Sequence, residues 1–142
     1  MAQLSSIFGV ATKAGDTMSG NLNMADNEII RPKIKDYALI HNALGNKSGA
    51  TTIDLELGNY VSITQTAAIT LTFSNPPPDN TACAITLELT NGGNYTVTWP
   101  PSVVWGEGNV PTLTTNGIDV LMFITRNGGV TWFGLVSMMD SK

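Results

Sequence analysis

From residue 52 onward, apolar and polar positions alternate. Ile53, Leu55 and Leu57 alternate with Thr52, Asp54 and Glu56; Val61 and Ile63 with Ser62 and Thr64; Ile69, Leu71 and Phe73 with Thr70, Thr72 and Ser74. A period of two places one set of side chains on each face of a strand, so each run predicts a half-buried strand. Breaks fall at Gly58-Asn59, at Gln65-Thr66 and at Asn75-Pro76-Pro77-Pro78-Asp79-Asn80, whose prolines cannot donate to a ladder. A further strand is expected over 82–90, with Cys83, Ile85, Leu87 and Leu89 on one face. The run Asn91-Gly92-Gly93-Asn94 predicts a hairpin-type turn into Tyr95, Val97 and Trp99. Residues 102–111 read as an irregular loop carrying Trp105.

The last unit predicts a hairpin, 118–126 and 130–139, around Asn127-Gly128-Gly129. It is apolar on both faces: Ile118, Val120, Met122 and Ile124 fall on one, Leu121 and Phe123 on the other. Strands of this kind are covered on both faces. The second cover is either another subunit or a second sheet of the same chain.

The N-terminal third follows no such period. Residues 1–14 fit a strand or a short helix. In residues 15–29, Met18, Leu22, Met24 and Ile29 are spaced by Gly, Asn, Asp and Ser, the residues of turns. This segment buries little alone, yet it lacks the composition of a disordered tail. Identical copies could supply the missing core. Gly45-Asn46-Lys47-Ser48-Gly49 breaks the pattern again. The expected organisation is therefore a docking and trimerisation arm, 1–49, followed by a β-rich domain, 50–142. The expected fold class is all-β, an antiparallel sandwich or small barrel of seven to eight strands with an extended arm.

Composition sharpens this picture. The chain has 142 residues, of which 42% are hydrophobic and only 13% charged. So little charge suits β-structure packed into an assembly with a Thr-, Asn-, Ser- and Gly-rich surface. No Lys or Arg occurs between Lys47 and Arg126, while that stretch holds Asp54, Glu56, Asp79, Glu88, Glu107 and Asp119. A nucleic-acid binder needs clustered cations, so nucleic acid is not an expected partner of the domain. Arg31, Lys33 and Lys35 do cluster in the arm; they are either a cationic foot for an acidic partner or a solvated patch. No apolar run approaches the roughly 20 residues of a membrane helix, and no signal-peptide pattern is present.

Catalytic chemistry finds few candidates. Cys83 and His41 are each the only residue of their type, which disfavours a zinc site, a disulfide and a Cys-His pair. No Gly-x-Ser-x-Gly elbow occurs. Asp54 and Glu56 would lie roughly 6–7 Å apart on one strand face, a separation some glycosidases use, but on the polar face of an amphipathic strand. Asp26, Asn27 and Glu28 lack the spacing of a calcium loop, and the Gly pairs do not precede helices. No catalytic residue, metal or cofactor is expected. Of Trp99, Trp105 and Trp132, Trp105 is the candidate contact for a glycan or a partner, because a loop position would expose it.

Gly15-Asp16-Thr17-Met18-Ser19-Gly20-Asn21-Leu22 resembles the GDTM-[ST]-G-x-L shaft motif of trimeric phage tail fibres. The remainder is similar to a C-terminal domain of phage fibre and virion proteins. Its carriers are Asp54-Leu55-Glu56-Leu57-Gly58-Asn59-Tyr60, Leu71-Thr72-Phe73-Ser74-Asn75-Pro76, Val97-Thr98-Trp99-Pro100, Val104-Trp105, Pro111-Thr112-Leu113, Asp119-Val120-Leu121 and Gly128-Gly129-Val130-Thr131-Trp132. The resemblance implies a homotrimeric, β-rich, non-enzymatic virion protein, made in the host cytoplasm. The short segment ahead of the domain suggests a short fibre or tip; a trimeric capsid decoration protein is the alternative, and a carbohydrate-binding adhesin module a third. Implied partners are further copies of the chain, a tail, baseplate or major capsid protein, and a host-surface glycan.

Overall fold

The structure, a computed structural model, describes residues 20, 21, 24 and 28–141. The chain divides into two compact units, Met1–Asp36 and Tyr37–Lys142. The run 45–49, expected to be the boundary, instead lies inside the first strand of the second unit. In the first unit, residues 28–36 are solvent-exposed and form no strand or helix.

The second unit is mostly β. Its strands are β1 (His41–Asp54), β2 (Tyr60–Ser74), β3 (Asp79–Thr90), β4 (Val97–Thr98), β5 (Val103–Trp105), β6 (Ile118–Asn127) and β7 (Trp132–Ser141). One sheet joins them in the order β1-β2-β3-β6-β7-β5, with β4 paired to β2. The sheet is mixed and curls into a half-barrel. The expected all-antiparallel arrangement does not occur: β1, β2 and β3 are mutually parallel neighbours, while β6 runs antiparallel to both β3 and β7. Alternation fixes which face a side chain occupies and carries no information on strand direction.

The register explains the curl. Parallel pairing sets His41 beside Tyr60 and Asp54 beside Ser74. A straight strand of β1's length would span about 45 Å, whereas the connector of residues 55–59 reaches only about 20 Å. β1 must therefore bend back until its end lies near its start. The bends coincide with two register shifts, at Gly45 and Gly49, whose φ values of 68° and 65° favour glycine. The Tyr60 amide donates to the Ile40 carbonyl at 3.4 Å, closing the winding. β2 begins a second winding on top of the first. It pairs with β3 through Tyr60–Thr64 and with β4 through Ile69 and Thr70. The turn at 91–94 therefore carries the chain from β3 into another winding, and no β3–β4 hairpin forms.

The connector is built by its own residues. Asp54 caps the 3-10 turn Leu55–Leu57: its Oδ1 accepts from the Glu56 amide at 3.0 Å and from the Asn75 side chain at 2.9 Å. That turn ends the strand expected to continue through Leu57, because the cap satisfies amides that a ladder would otherwise claim. Gly58 follows at φ 131°, with the Ile40 carbonyl directly against the place a Cβ would occupy.

The concave face holds the core. Ile53, Val61, Ile63, Ile69, Leu71, Ile85, Leu87, Leu89, Leu121, Phe123 and Trp132 are buried there. Phe73 packs against Phe123 and Trp132, with ring centroids 5.1 Å apart in each pair. The β6–β7 hairpin forms as expected. Its turn is tied by Thr125, whose Oγ1 bonds the Asn127 side chain at 3.0 Å and accepts from the Gly129 amide at 3.2 Å. Fully buried Asp119 accepts from the Thr114 amide at 2.6 Å and the Asp140 amide at 3.1 Å, joining the 110–114 segment to the end of β7.

The closure at Gly58 gives a direct test. Gly58→Ala is expected to destabilise the fold by about 2 kcal/mol or more, since the methyl meets backbone at a φ that L-residues avoid. Gly106→Ala, with open space around its Cβ, is expected to change stability by less than about 0.5 kcal/mol. Equilibrium urea denaturation of the two variants checks the contrast.

Candidate functional site

Leu121 and Phe123 of β6 point into the core, so Val120, Met122 and Ile124 point outward. The register places Phe133, Leu135 and Met138 of β7 beside them, in the pairs Ile124 with Phe133, Met122 with Leu135 and Val120 with Met138. Ile124 is 37% exposed, Phe133 45%, Leu135 46% and Met138 53%. These side chains form an apolar stripe on the convex face that stays open to solvent. A contiguous apolar row of this kind is a feature that often serves a function on protein surfaces.

The face becomes polar across the sheet. β3 sets Thr86 and Glu88 beside Met122 and Val120, and β2 adds Tyr60 and Ser62 beside Thr86 and Glu88. The Tyr60 hydroxyl donates to Glu88 Oε1 at 2.6 Å. His41 Nε2 lies 2.8 Å from Ser62 Oγ, and its ring meets Tyr60 edge-on at 5.5 Å. The hydrogen bond to Glu88 raises the Tyr60 pKa above the usual phenol value; burial and the Glu88 charge add to the shift. Across this face the sheet thus passes from an apolar row on β6 and β7 to a hydrogen-bonded polar margin on β3 and β2.

A second apolar area surrounds the entry to β1. Tyr37, Leu39, Ile40 and Leu57 are all exposed, and the first three border a cavity of about 250 Å³ beside Leu55 and Glu56.

The residues singled out in the sequence fall in several places. Met18 and Leu22 lie outside the described residues. Met24 is half-buried, and Ile29 is 56% exposed. Arg31, Lys33 and Lys35 are exposed along one irregular stretch, with Arg31 at φ 54°. Trp105 does not stand in a loop. It ends β5, half-buried, and contacts Trp99 and Phe123 at centroid distances of 5.2 and 5.7 Å. Gly134 leaves the room its ring occupies: a Cβ there would lie 2.7 Å from two ring carbons. Asp54 and Glu56 are joined by the cap described above, a structural use of the carboxylate. Cys83 is half-buried against the core, and burial pushes its thiol pKa up.

Among the described residues no group of three or more His, Cys, Asp or Glu is placed to hold a metal ion. No helix among them is long and apolar enough to cross a membrane. Comparison of the chain with protein families, with curated sequences and with solved structures finds no match to any of them.

The outward positions of β6 were visible as a doubled apolar pattern; those of β7 beyond Phe133 were not. A register shift between the Leu121–Val136 and Val120–Met138 pairs inserts Ser137 and interrupts the alternation. The Tyr60–Glu88 bond joins residues far apart in sequence and leaves no local signal.

Tyr60 supplies a measurement. Its raised pKa means that the unfolded chain loses the phenol proton first, so stability falls as pH rises through the interval between the two values. Alkaline absorbance titration is expected to show a late-ionising phase that disappears in Tyr60→Phe and shifts down in Glu88→Gln. A late phase that survives Tyr60→Phe would contradict the assignment.

Proposed function

We propose that this chain is a bacteriophage virion structural protein, a short homotrimeric tail-fibre-type appendage attached to the particle by its N-terminal arm. The observation that carries the reading is the open apolar stripe of β6 and β7. A side-chain row built from Ile124, Phe133, Leu135 and Met138 belongs under cover, and residues 37–141 leave it open to solvent. The second exposed apolar area, around Tyr37, Leu39 and Ile40, has the same need, as do Ile29, Ile30 and Ile34 of the arm. Symmetric assembly buries all three sets at once with no further protein. The resemblance of residues 15–22 to the fibre shaft motif supports three copies and a virion setting.

In this reading the arm trimerises and docks, with Arg31, Lys33 and Lys35 available to an acidic site on a tail or baseplate protein. The wound sheet is the adhesive and mechanical part. Association stabilises each copy by mass action, so stability depends on protein concentration.

Removing residues 1–34 is expected to abolish incorporation into particles while leaving a folded β-domain, measured by immunoblot of purified particles and by circular dichroism. Incorporation of the truncated chain would remove the docking role. Immunogold labelling is expected on tails; labelling confined to heads would favour the capsid decoration alternative.

A further inference from the structure

A groove of about 230 Å³ runs between the 91–99 segment and the facing 110–113 segment, away from the apolar stripe. Gly92, Gly93, Tyr95 and Trp99 line one bank, Val110, Pro111 and Thr112 the other. The two segments are tied together at one end of the groove. The Gly93 amide donates to the Thr114 carbonyl at 3.0 Å, and the Asn91 amide to the Gly117 carbonyl at 2.9 Å. Asn94 Nδ2 donates to Asn116 Oδ1 at 3.1 Å, and the Thr114 amide is held by buried Asp119. Gly93 is required by the approach: a Cβ there would come within 2.7 Å of the Thr114 backbone. Trp99 is clamped by Trp105 and Phe123, at centroid distances of 5.2 and 5.5 Å. The tied end and the packed Trp99 ring restrict this part of the groove before any ligand arrives, which lowers the cost of binding.

Its chemistry is specific. Tyr95 is 46% exposed and, with Trp99, offers aromatic surface. The Tyr95 hydroxyl, the Trp99 indole N–H and the Thr112 hydroxyl make no hydrogen bond to the described residues. No charged residue lines the groove. We propose that it binds one terminal ring of a neutral glycan, with a C–H face against the aromatic bank and hydroxyls meeting the Tyr95, Trp99 and Thr112 groups. A pyranose presents that combination of an apolar face and a polar rim. An anionic sugar would find no cation in the lining, and the volume, under the roughly 300 Å³ of larger ligand sites, suits a single ring. The inference rests on the adhesive role proposed above for the source of the glycan, a host-cell surface. It moves the recognition site from Trp105, whose ring is held in packing, to Tyr95 and its neighbours.

The test uses the full chain in solution. Methyl glycosides of glucose, galactose, mannose and N-acetylglucosamine are titrated while amide and indole resonances are followed by NMR, with a polyproline peptide in parallel. At least one glycoside is expected to shift the Tyr95, Trp99 and Thr112 signals. Tyr95→Ala is expected to weaken that binding about tenfold or more, and Trp99→Phe to weaken it while retaining the packed core. Absence of shifts with all four glycosides, binding unchanged by Tyr95→Ala, or binding of the peptide alone would overturn the proposal. These outcomes are independent of immunogold placement. Tail labelling without sugar binding removes the groove and keeps the appendage, whereas head labelling with sugar binding does the reverse.

Discussion

The fold depends on a short connector between two long parallel strands. Five residues cannot return the chain across the length of a straight β1, so β1 and β2 must curl. Gly45 and Gly49 permit the bends, Asp54 caps the turn, and Gly58 lets the returning chain touch the Ile40 carbonyl. Once closed, the winding dictates which side chains meet. Ile53, Ile63, Ile69 and Leu71 converge on the concave face, and β3 is laid beside β2 in parallel.

That constraint also produces the exposed surface. A curled sheet has one enclosed face and one open face, and the β6–β7 hairpin extends it by pairing with β3. Leu121, Phe123 and Trp132 complete the core, so the alternate residues are directed outward. There the sequence places Ile124, Phe133 and Leu135 where a solitary sheet would carry Thr, Ser or Lys. Burying a row of that kind gains about 25 cal/mol per Å², which a second copy can collect and water cannot. The polar margin at Tyr60 and Glu88 bounds the apolar row on the side of β2.

The parts that were legible in the sequence were those set by neighbours along the chain. Period-two alternation located the strands, Asn127-Gly128-Gly129 located the hairpin, and the doubled apolar pattern of β6 marked both of its faces as apolar. Direction and curvature were not legible. Gly45 and Gly49 read as a loop because glycine marks both loops and bulges; only the pairing with β2 decides between them. Gln65 and Thr66 looked like a break, yet β2 bends through that point without ending. Trp105 seemed exposed because its loop-like surroundings conceal the vacancy that Gly134, distant in sequence, leaves for its ring. The Tyr95 groove depends on two segments joined through Asp119 and Gly93, a tertiary arrangement with no local signature.

We propose that further copies of this chain cover the convex stripe. Light-scattering mass measurement of the full chain, alone and as Leu135→Glu, tests it most directly. A particle three times the 15.1 kDa chain mass is expected for the native sequence, with dissociation to smaller species when a charge is placed in the stripe. A stable 15.1 kDa monomer of the native chain, or a trimer indifferent to Leu135→Glu, would contradict it.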